Sequence, residues 1–595
     1  MRPRPPHQVG RPKARAKDWR GTLRRLWSYL AVHKRLLTLV LVMVLLSSAL
    51  GLLGPYLLGR AIDAYLVPRE REGLLWFIAL LAGNYVFFSA ATWLQNYWMI
   101  GIAQRTVATL REDLFRQLHR LPIAYFSRRK HGELMSRLTN DIENVSQTLN
   151  TSFVQVFTSV LTFAGMLGMM LWLSLWLTLI TLTIIPLMVL GMKWITSRTG
   201  PRFREQQRNL GELNGFVEET LSGQQIVKTF SREQAMIEAF AERNARLRVS
   251  GYWAQVYTGF IPKLMNMLNN ISFALIAGIG GLLAMQQLVS IGVIVTFAEY
   301  ARQFTRPLND LANQFNTILA AIAGAERVFE VLEEAPESGD EQAAVELERV
   351  RGEIVFEAVD FSYEPGVRTL RGIDLHVAPG QTLALVGSTG AGKSTIVQLI
   401  SRFYAPDRGR ILIDGRDIAG IRRHSLRSHM GFVLQDVFLF QDTIRENIRY
   451  GRLEATDAEV EEAARLANAH GFIAKLPRGY DTVLGQDGGG ISQGQRQLLS
   501  IARAMLAGPS ILVLDEATSS VDTVTEIKIQ EALYRLMQGR TNIVIAHRLG
   551  TIRRADQIAV VEDGQIVERG SHESLLQARG RYYDLVHAGE REAGA

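Results

Sequence analysis

The chain has 595 residues, of which 47% are hydrophobic and 21% are charged, and its formal net charge is +8. This length is enough for several domains and a large buried core. The sequence contains no cysteine, which excludes disulfide bonds, thiolate metal sites and cysteine nucleophiles.

Residues 1–18 form a tail rich in proline and arginine, which predicts a disordered basic segment. Its charge would also suit nucleic-acid binding, but its place before a long apolar run favours the cytoplasmic flank of a membrane helix. Residues 19–30 combine Arg24 and Arg25 with leucine and tryptophan, which is typical of an amphipathic helix at a membrane surface. The first apolar run begins at Leu36 without an evident cleavage site, so it is expected to remain as a membrane helix.

Uncharged regions of the first half predict six membrane helices, since a helix needs about 20 apolar residues to cross a bilayer. The third region is long enough for two helices, divided near Ser174 by a short turn. The fourth is slightly short for two, so the fifth helix should begin before Lys263 and the sixth should continue past Glu299. The four regions are residues 36–58, 74–100, 144–192 and 264–298.

The distribution of lysine and arginine predicts the orientation of these helices, because cytoplasmic connections carry more of both. The segments before the first helix, between the second and third, and between the fourth and fifth are rich in them. The N-terminus, two long loops and the second half of the chain are therefore expected in the cytoplasm. The tips of the loops, residues 126–133 and 214–219, are expected to contact the second half.

Polar residues inside predicted membrane helices are costly and often functional. Asn266, Asn269 and Asn270 on the fifth span are therefore candidates for lining a transport cavity. Gln303 on the sixth is a candidate of the same kind, as are Glu299 and Arg302. The alternative is that these two residues, three positions apart on one helix, pair only with each other.

Composition marks a domain boundary at residues 331–350, which are rich in glutamate, proline, glycine and alanine. The preceding domain, residues 19–330, is predicted to be helical and membrane-spanning. The following domain, residues 351–590, has an ordinary soluble composition and opens with an apolar strand that precedes Tyr363. This tyrosine is a candidate for stacking on an adenine, and an ordinary strand aromatic is the alternative.

A P-loop pattern follows the apolar run at residues 383–386 and precedes a predicted helix. Its glycines let backbone N–H groups surround phosphates at a helix N-terminus. Lys393 would neutralise the outer phosphates, and the hydroxyl of Ser394 would bind Mg²⁺. The candidate phosphate-binding residues are Gly387, Ser388, Thr389, Gly390, Ala391, Gly392, Lys393, Ser394 and Thr395.

These features resemble the ATP-binding cassette (ABC) transporter family over essentially the whole chain. The resemblance implies an all-α, six-helix exporter half followed by an α/β P-loop ATPase domain, with ATP and Mg²⁺ as cofactors. It implies that Tyr363 stacks on the adenine. It also implies ATP hydrolysis coupled to transport in the bacterial inner membrane, as a multi-pass protein.

Further motifs of the family match in chain order. The resemblance implies that Gln435 touches Mg²⁺ and that Asp515, after the apolar run 511–514, binds it mostly through water. It implies that Glu516 polarises the attacking water as general base. Residues 519–522 match the D-loop. A lone histidine is more often structural, but the place of His547 after an apolar strand matches the switch histidine that contacts the γ-phosphate.

The signature motif departs from the family pattern of Leu-Ser-Gly-Gly-Gln. The sequence has Ile491, Ser492, Gln493, Gly494 and Gln495 instead. In the family, this motif opens a helix whose N–H groups bind the γ-phosphate held by the other subunit, and glycine permits close approach. The glutamine is expected to perturb that fit. We therefore predict a heterodimer with a second half-transporter and one largely non-hydrolytic ATP site. A tolerated variant in a homodimer is the alternative.

The resemblance predicts ATP-driven export of small amphipathic molecules or lipids by alternating access. A homodimeric lipid exporter, a siderophore importer of the same fold and an ATP-gated channel are alternatives. A soluble ATPase of this family acting on DNA or ribosomes would share the P-loop but not six uncharged spans. No nucleic-acid partner is therefore expected.

Overall fold

A computed structural model describes residues 18–593 except 338–339, 341–343, 365, 486–487, 516–521 and 547–548. The predicted disordered tail thus lies almost wholly outside the described residues. These residues form two compact units. The first draws on Met1–Arg120 and Lys130–Glu334, and the second on Leu121–Arg129 and Ala335–Ala595.

The described part of the first unit is entirely helical. Short π-helical turns interrupt its helices at Ile62–Leu66, Arg137–Asp141 and Thr148–Ser152. The helices up to the domain boundary, of which α4 belongs to the second unit, are α1 (Trp19–Ala31), α2 (Lys34–Ala61), α3 (Leu74–Arg120), α4 (Ile123–Ser127), α5 (His131–Ser136), α6 (Ile142–Gln147), α7 (Phe153–Leu173), α8 (Leu175–Ser222), α9 (Gln224–Thr229), α10 (Glu233–Met285), α11 (Ile291–Gln303) and α12 (Thr305–Glu333).

Four helical stretches of the described chain are long and apolar enough to cross a membrane, and they carry the predicted first, second, third and fifth spans. The predicted fourth span falls on α8, and the sixth passes from α11 into α12 across a break at Phe304. Ser174 separates α7 from α8 with extended backbone, as predicted, and its hydroxyl caps α8. The four stretches are Lys34–Leu66, Leu74–Arg120, His131–Leu173 and Glu233–Met285.

Helices α2 and α11 cross at unusually close range. A Cβ atom at Gly292 would collide with the carbonyl oxygen of Gly59, so the crossing requires glycine. The Asp63 carboxylate accepts hydrogen bonds from the Ser290 hydroxyl and the Gly292 N–H at the start of α11. The Tyr300 hydroxyl donates to the α2 backbone at a distance of 2.6 Å. These bonds satisfy polar groups that hydrocarbon would otherwise leave unpaired.

The described residues of the second unit form ten strands in two sheets. A four-stranded antiparallel sheet has the order β2-β1-β4-β5, and a six-stranded sheet has the order β10-β9-β3-β8-β7-β6. Within the larger sheet the pairs from β9 to β6 are parallel. The strands are β1 (Ile354–Phe361), β2 (Leu370–Val377), β3 (Thr382–Val386), β4 (Arg408–Ile413), β5 (Arg416–Asp417), β6 (Met430–Val433), β7 (Ile511–Asp515), β8 (Thr541–Ile545), β9 (Gln557–Glu562) and β10 (Gln565–Gly570).

Helices cover the parallel sheet, which explains why its central strands read as continuous apolar runs. The strand residues 383–386 and 511–514 are buried. The helices of this unit after the boundary are α13 (Lys393–Ile400), α14 (Arg423–Ser428), α15 (Ile444–Arg449), α16 (Asp457–Leu466), α17 (His470–Ile473), α18 (Gln493–Ala507), α19 (Thr523–Met537), α20 (Leu549–Arg553), α21 (His572–Ala578) and α22 (Arg581–Ala593).

Candidate active site

The parallel strands bring the predicted nucleotide ligands to one edge of the larger sheet. Strand β3 ends directly before the P-loop, β6 ends two residues before Gln435, and β7 ends at Asp515. Because these strands run parallel, their carboxyl ends lie at the same edge. Glu516 follows β7 and His547 follows β8 in the sequence, but both lie outside the described residues. Their assigned roles remain predictions.

The P-loop has the backbone that phosphate binding requires. Gly392 adopts a left-handed conformation with φ of 111° and precedes α13 as its N-cap residue. A Cβ atom at Gly387 would collide with the carbonyl oxygen of Val561, so this position also needs glycine. The loop residues Ser388 and Thr389 are exposed to solvent. The loop therefore presents an open backbone surface at a helix N-terminus, which is a favourable setting for an anion.

Lys393 is held inside this loop. Only 7% of the residue is exposed, and its Nζ donates to the carbonyl oxygens of Gly387 and Ser388 at 2.7 and 2.8 Å. Burial lowers the pKa of the Lys393 ammonium, and attraction to Asp515 offsets part of this change. A partly desolvated cation beside open backbone N–H groups suits a polyphosphate ligand.

The oxygen donors around the loop fit Mg²⁺. Ser394 is exposed one residue after the lysine, and Gln435 is exposed beyond β6. Asp515 supplies a carboxylate at the end of β7. A hydroxyl, an amide oxygen and one carboxylate match the hard oxygen ligands that Mg²⁺ takes together with substrate phosphates.

Tyr363 lies beside the first turns of α13. Its hydroxyl is 3.1 Å from Thr395 Oγ1 and donates to Gln398 Oε1 at 2.5 Å. Its ring meets those of Phe361 and Tyr404 edge to face, with centroids 4.9 and 5.1 Å away. Burial raises the pKa of the Tyr363 hydroxyl. This aromatic cluster is next to the P-loop helix, at the position predicted to bind the adenine ring.

The altered signature motif forms a regular helix start. The Ser492 hydroxyl accepts from the N–H of Gln495, and the Gln495 side chain accepts from the N–H of Ser492, so the two residues form a capping box. Gln493 is the exposed first residue of α18, and Gly494 is buried behind it. Glutamine is thus compatible with the fold at the first position of this helix.

The predicted cavity residues of the membrane unit do not converge. Asn266 and Asn270 are exposed on α10, and Asn269 is partly buried. Glu299 pairs with Arg302 at 3.1 Å and also accepts a hydrogen bond from Gln303 at 2.5 Å, so the two charged residues do not pair only with each other.

A cavity of about 640 Å³ between α2, α3, α7, α11 and α12 includes the candidates Glu299 and Gln303, but not Arg302 or the three candidate asparagines of α10. Its polar lining comes largely from residues that the sequence analysis missed. Glutamines within uncharged stretches were the available signal. Gln95 accepts a hydrogen bond from Ser47, and Gln155 donates to Asp310 at 2.9 Å.

Comparison with known families identifies both halves of the chain. A model described as ABC transporter transmembrane region matches residues 37–308, and a model described as ABC transporter matches residues 370–519.

Full-length relatives agree with this division. An uncharacterized ABC transporter ATP-binding protein, YfiC of Bacillus subtilis, is 59% identical over 97% of this chain and 95% of its own length. A fatty acid ABC transporter ATP-binding/permease protein of Mycobacterium bovis is 42% identical over 97% and 98%. An ATP-dependent lipid A-core flippase of Syntrophus aciditrophicus is 37% identical over 94% and 93%. The chain belongs to the ABC transporter family, as a multi-pass membrane half-transporter of the exporter type that couples ATP hydrolysis to transport.

Proposed function

We propose that this chain is one half of a dimeric exporter that moves small amphipathic molecules or lipids out of the cytoplasm by alternating access. The observation that carries the proposal is the edge of the parallel sheet where the P-loop, Gln435 and Asp515 meet, in a chain that also has membrane-spanning helices. Its N-terminus and ATPase domain would face the cytoplasm.

Each residue at this edge has a distinct role in the proposal. The backbone N–H groups from Gly387 to Thr395 orient the phosphates, and Lys393 compensates their charge. Bound Mg²⁺, held by Ser394, Gln435 and Asp515, would supply further charge compensation. Glu516 accepts the proton of the attacking water, and His547 keeps that water and the γ-phosphate aligned. Closure around ATP then biases the membrane helices toward the outward-facing state.

The names of relatives support a lipid-like substrate. Fatty acids and lipid A-core are named for two of them, and a multidrug resistance function for a third, YheH of Bacillus subtilis. Fatty acids and lipid A-core both join an apolar body to a polar group. The cavity of the membrane unit has hydroxyl and amide groups beside apolar side chains such as Leu52 and Met166, which matches that shared chemistry. Import of a siderophore remains the second candidate.

Transport by inside-out vesicles tests the direction. With purified protein in such vesicles, we expect ATP-dependent uptake of a fluorescent fatty acid or a fluorescent cationic dye, and no uptake with a non-hydrolysable ATP analogue. ATP-driven loss of either probe from preloaded vesicles would instead support import. Rapid equilibration with no accumulation would point to a channel.

We further propose that the working unit is a heterodimer. The phosphate-binding side of this chain matches the family pattern, whereas Gln493 alters the surface that would face the nucleotide of the partner subunit. In a homodimer both ATP sites would contain this altered surface. In a heterodimer only one would, and the ATP held by this chain would face the partner's signature motif.

Replacing Gln493 tests this idea. The purified single chain should hydrolyse ATP slowly, and Gln493→Gly should raise its rate about fivefold or more, because removing an obstruction worth about 1 kcal/mol changes a rate by that factor. Gln493→Ala, which removes the amide but keeps a Cβ atom, should give a smaller increase. A single chain that dimerises and hydrolyses ATP at the rate of a complete exporter would support the homodimer.

A further inference from the structure

The first cytoplasmic segment of the membrane half belongs structurally to the ATPase unit. Residues Leu121–Arg129, which include α4, cluster with the nucleotide-binding unit and not with the helices that flank them in sequence. Helix α4 begins after Pro122 and buries Tyr125. This segment is therefore a point where the chain of the membrane half reaches the ATPase fold.

Arg128 contacts the backbone of the residue predicted to hold adenine. Its Nη2 donates to the carbonyl oxygen of Tyr363 at 3.1 Å. The neighbouring Ser127 Oγ is 3.4 Å from the hydroxyl of Tyr404, whose ring meets that of Tyr363 edge to face. Arg129 instead turns back on its own helix, with its guanidinium 4.8 Å from the Tyr125 ring. Arg128 is thus the side chain of this segment that fixes the Tyr363 main chain.

The position of Tyr363 depends on few other restraints. Tyr363 follows β1 at the start of the turn that leads to β2. Two backbone hydrogen bonds close this turn, from the Thr369 N–H to the Phe361 carbonyl oxygen and from the Val367 N–H to the Glu364 carbonyl oxygen. The ring is restrained by its hydroxyl and its aromatic neighbours. Among the residues that the structure describes, no other donor contacts the Tyr363 carbonyl oxygen, so Arg128 supplies a donor that the turn lacks.

We propose that Arg128 is a positioning residue for adenine: it holds the Tyr363 main chain so that the ring can stack on the base. The inference rests on the proposed role of Tyr363 in the ATP site. Since Arg128 lies between α3 and α5 in the chain, the adenine-binding aromatic is tied directly to the first cytoplasmic loop. Adenine, and not the phosphates, is the part of ATP whose binding depends on this contact.

Two competing ligands separate adenine recognition from phosphate recognition. For the full-length protein in lipid nanodiscs, Arg128→Ala should raise KM for ATP about three- to tenfold, the loss expected for one hydrogen bond of ordinary strength, with kcat changed less than about twofold. Inorganic tripolyphosphate has no base, so its inhibition constant against ATP hydrolysis should be unchanged. Arg128→Lys, which keeps one donor, should restore part of the affinity.

Lys130→Ala is the matched control. It removes the same positive charge two residues further along the chain, at a position that is exposed. It should leave both constants unchanged. An equal rise of both constants in Arg128→Ala would show a general distortion of the P-loop and overturn the proposal. An absence of any rise in either constant would overturn it as well.

A Tyr363→Ala variant distinguishes the positioning role of Arg128 from the adenine-binding role of Tyr363. If it raises KM while Arg128→Ala does not, the positioning role fails and the ATP site stands. If Tyr363→Ala has no effect, the adenine assignment itself falls.

Discussion

Replacing Lys393 with alanine should lower the ATPase rate of the reconstituted transporter by about 100-fold or more, the scale seen when a preorganised charge-stabilising donor is removed. Lys393 is buried in the P-loop, between two backbone carbonyls and within the attraction of Asp515. Its ammonium is thus already partly desolvated where the outer phosphates would be bound. ATP-driven uptake into inside-out vesicles should be lost with the same substitution.

A stability measurement separates this effect from misfolding. Burying a cation costs free energy, so the alanine variant should unfold without nucleotide at nearly the wild-type temperature. Stabilisation by ATP should disappear, since a ligand that no longer binds cannot shift the unfolding equilibrium. Lys475→Ala, an exposed lysine of the same unit, serves as the control. If Lys393→Ala kept transport and ATP stabilisation, the P-loop assignment would be wrong.

The fold class and the backbone of the P-loop were predictable because local chemistry carries both. A helix that crosses a bilayer must be apolar over its whole length, which four stretches satisfy. The P-loop is one continuous segment whose glycines are required by its own backbone, as Gly387 and Gly392 show. Strand β7 could be recognised because a buried parallel strand is apolar on both faces.

The membrane cavity was harder to predict because it depends on how distant helices face each other. Gln155 on α7 and Asp310 on α12 meet through packing that no local pattern contains. The three asparagines of α10 were chosen for their polarity; they do not line this cavity, and their role in transport stays a prediction. Glu299 lines this cavity, and a carboxylate directly after the uncharged region 264–298 was the signal for it; its role in transport stays a prediction.

The grouping of residues 121–129 with the ATPase unit was only partly predictable. The basic tip of the first loop suggested a contact with the second half, and the bond from Arg128 to the Tyr363 carbonyl confirms it for this tip. The corresponding contact of residues 214–219 stays a prediction, because those residues belong to the membrane unit. A hydrogen bond to a backbone carbonyl depends on tertiary structure and leaves no mark in the sequence.

Replacing Glu516 with glutamine should stop turnover while preserving ATP binding. Asp515 ends β7 at the edge of the sheet that carries the P-loop, and Glu516 is the next residue. Glutamine keeps nearly the same size but cannot accept the proton of the attacking water, so kcat should fall about 100-fold or more. Nucleotide binding depends mainly on the P-loop, so the dissociation constant for ATP should stay within about threefold of the wild-type value.

Radiolabelled ATP retained on the protein after rapid gel filtration gives the decisive measurement. Glu516→Gln should hold unhydrolysed ATP, because a closed nucleotide sandwich that cannot hydrolyse its ligand reopens slowly. Glu573→Gln makes the same chemical change on an exposed residue of α21 and should turn over at the wild-type rate. Retained hydrolysis in Glu516→Gln would exclude this carboxylate as the general base. Joint loss of binding and hydrolysis would assign it instead to holding the nucleotide.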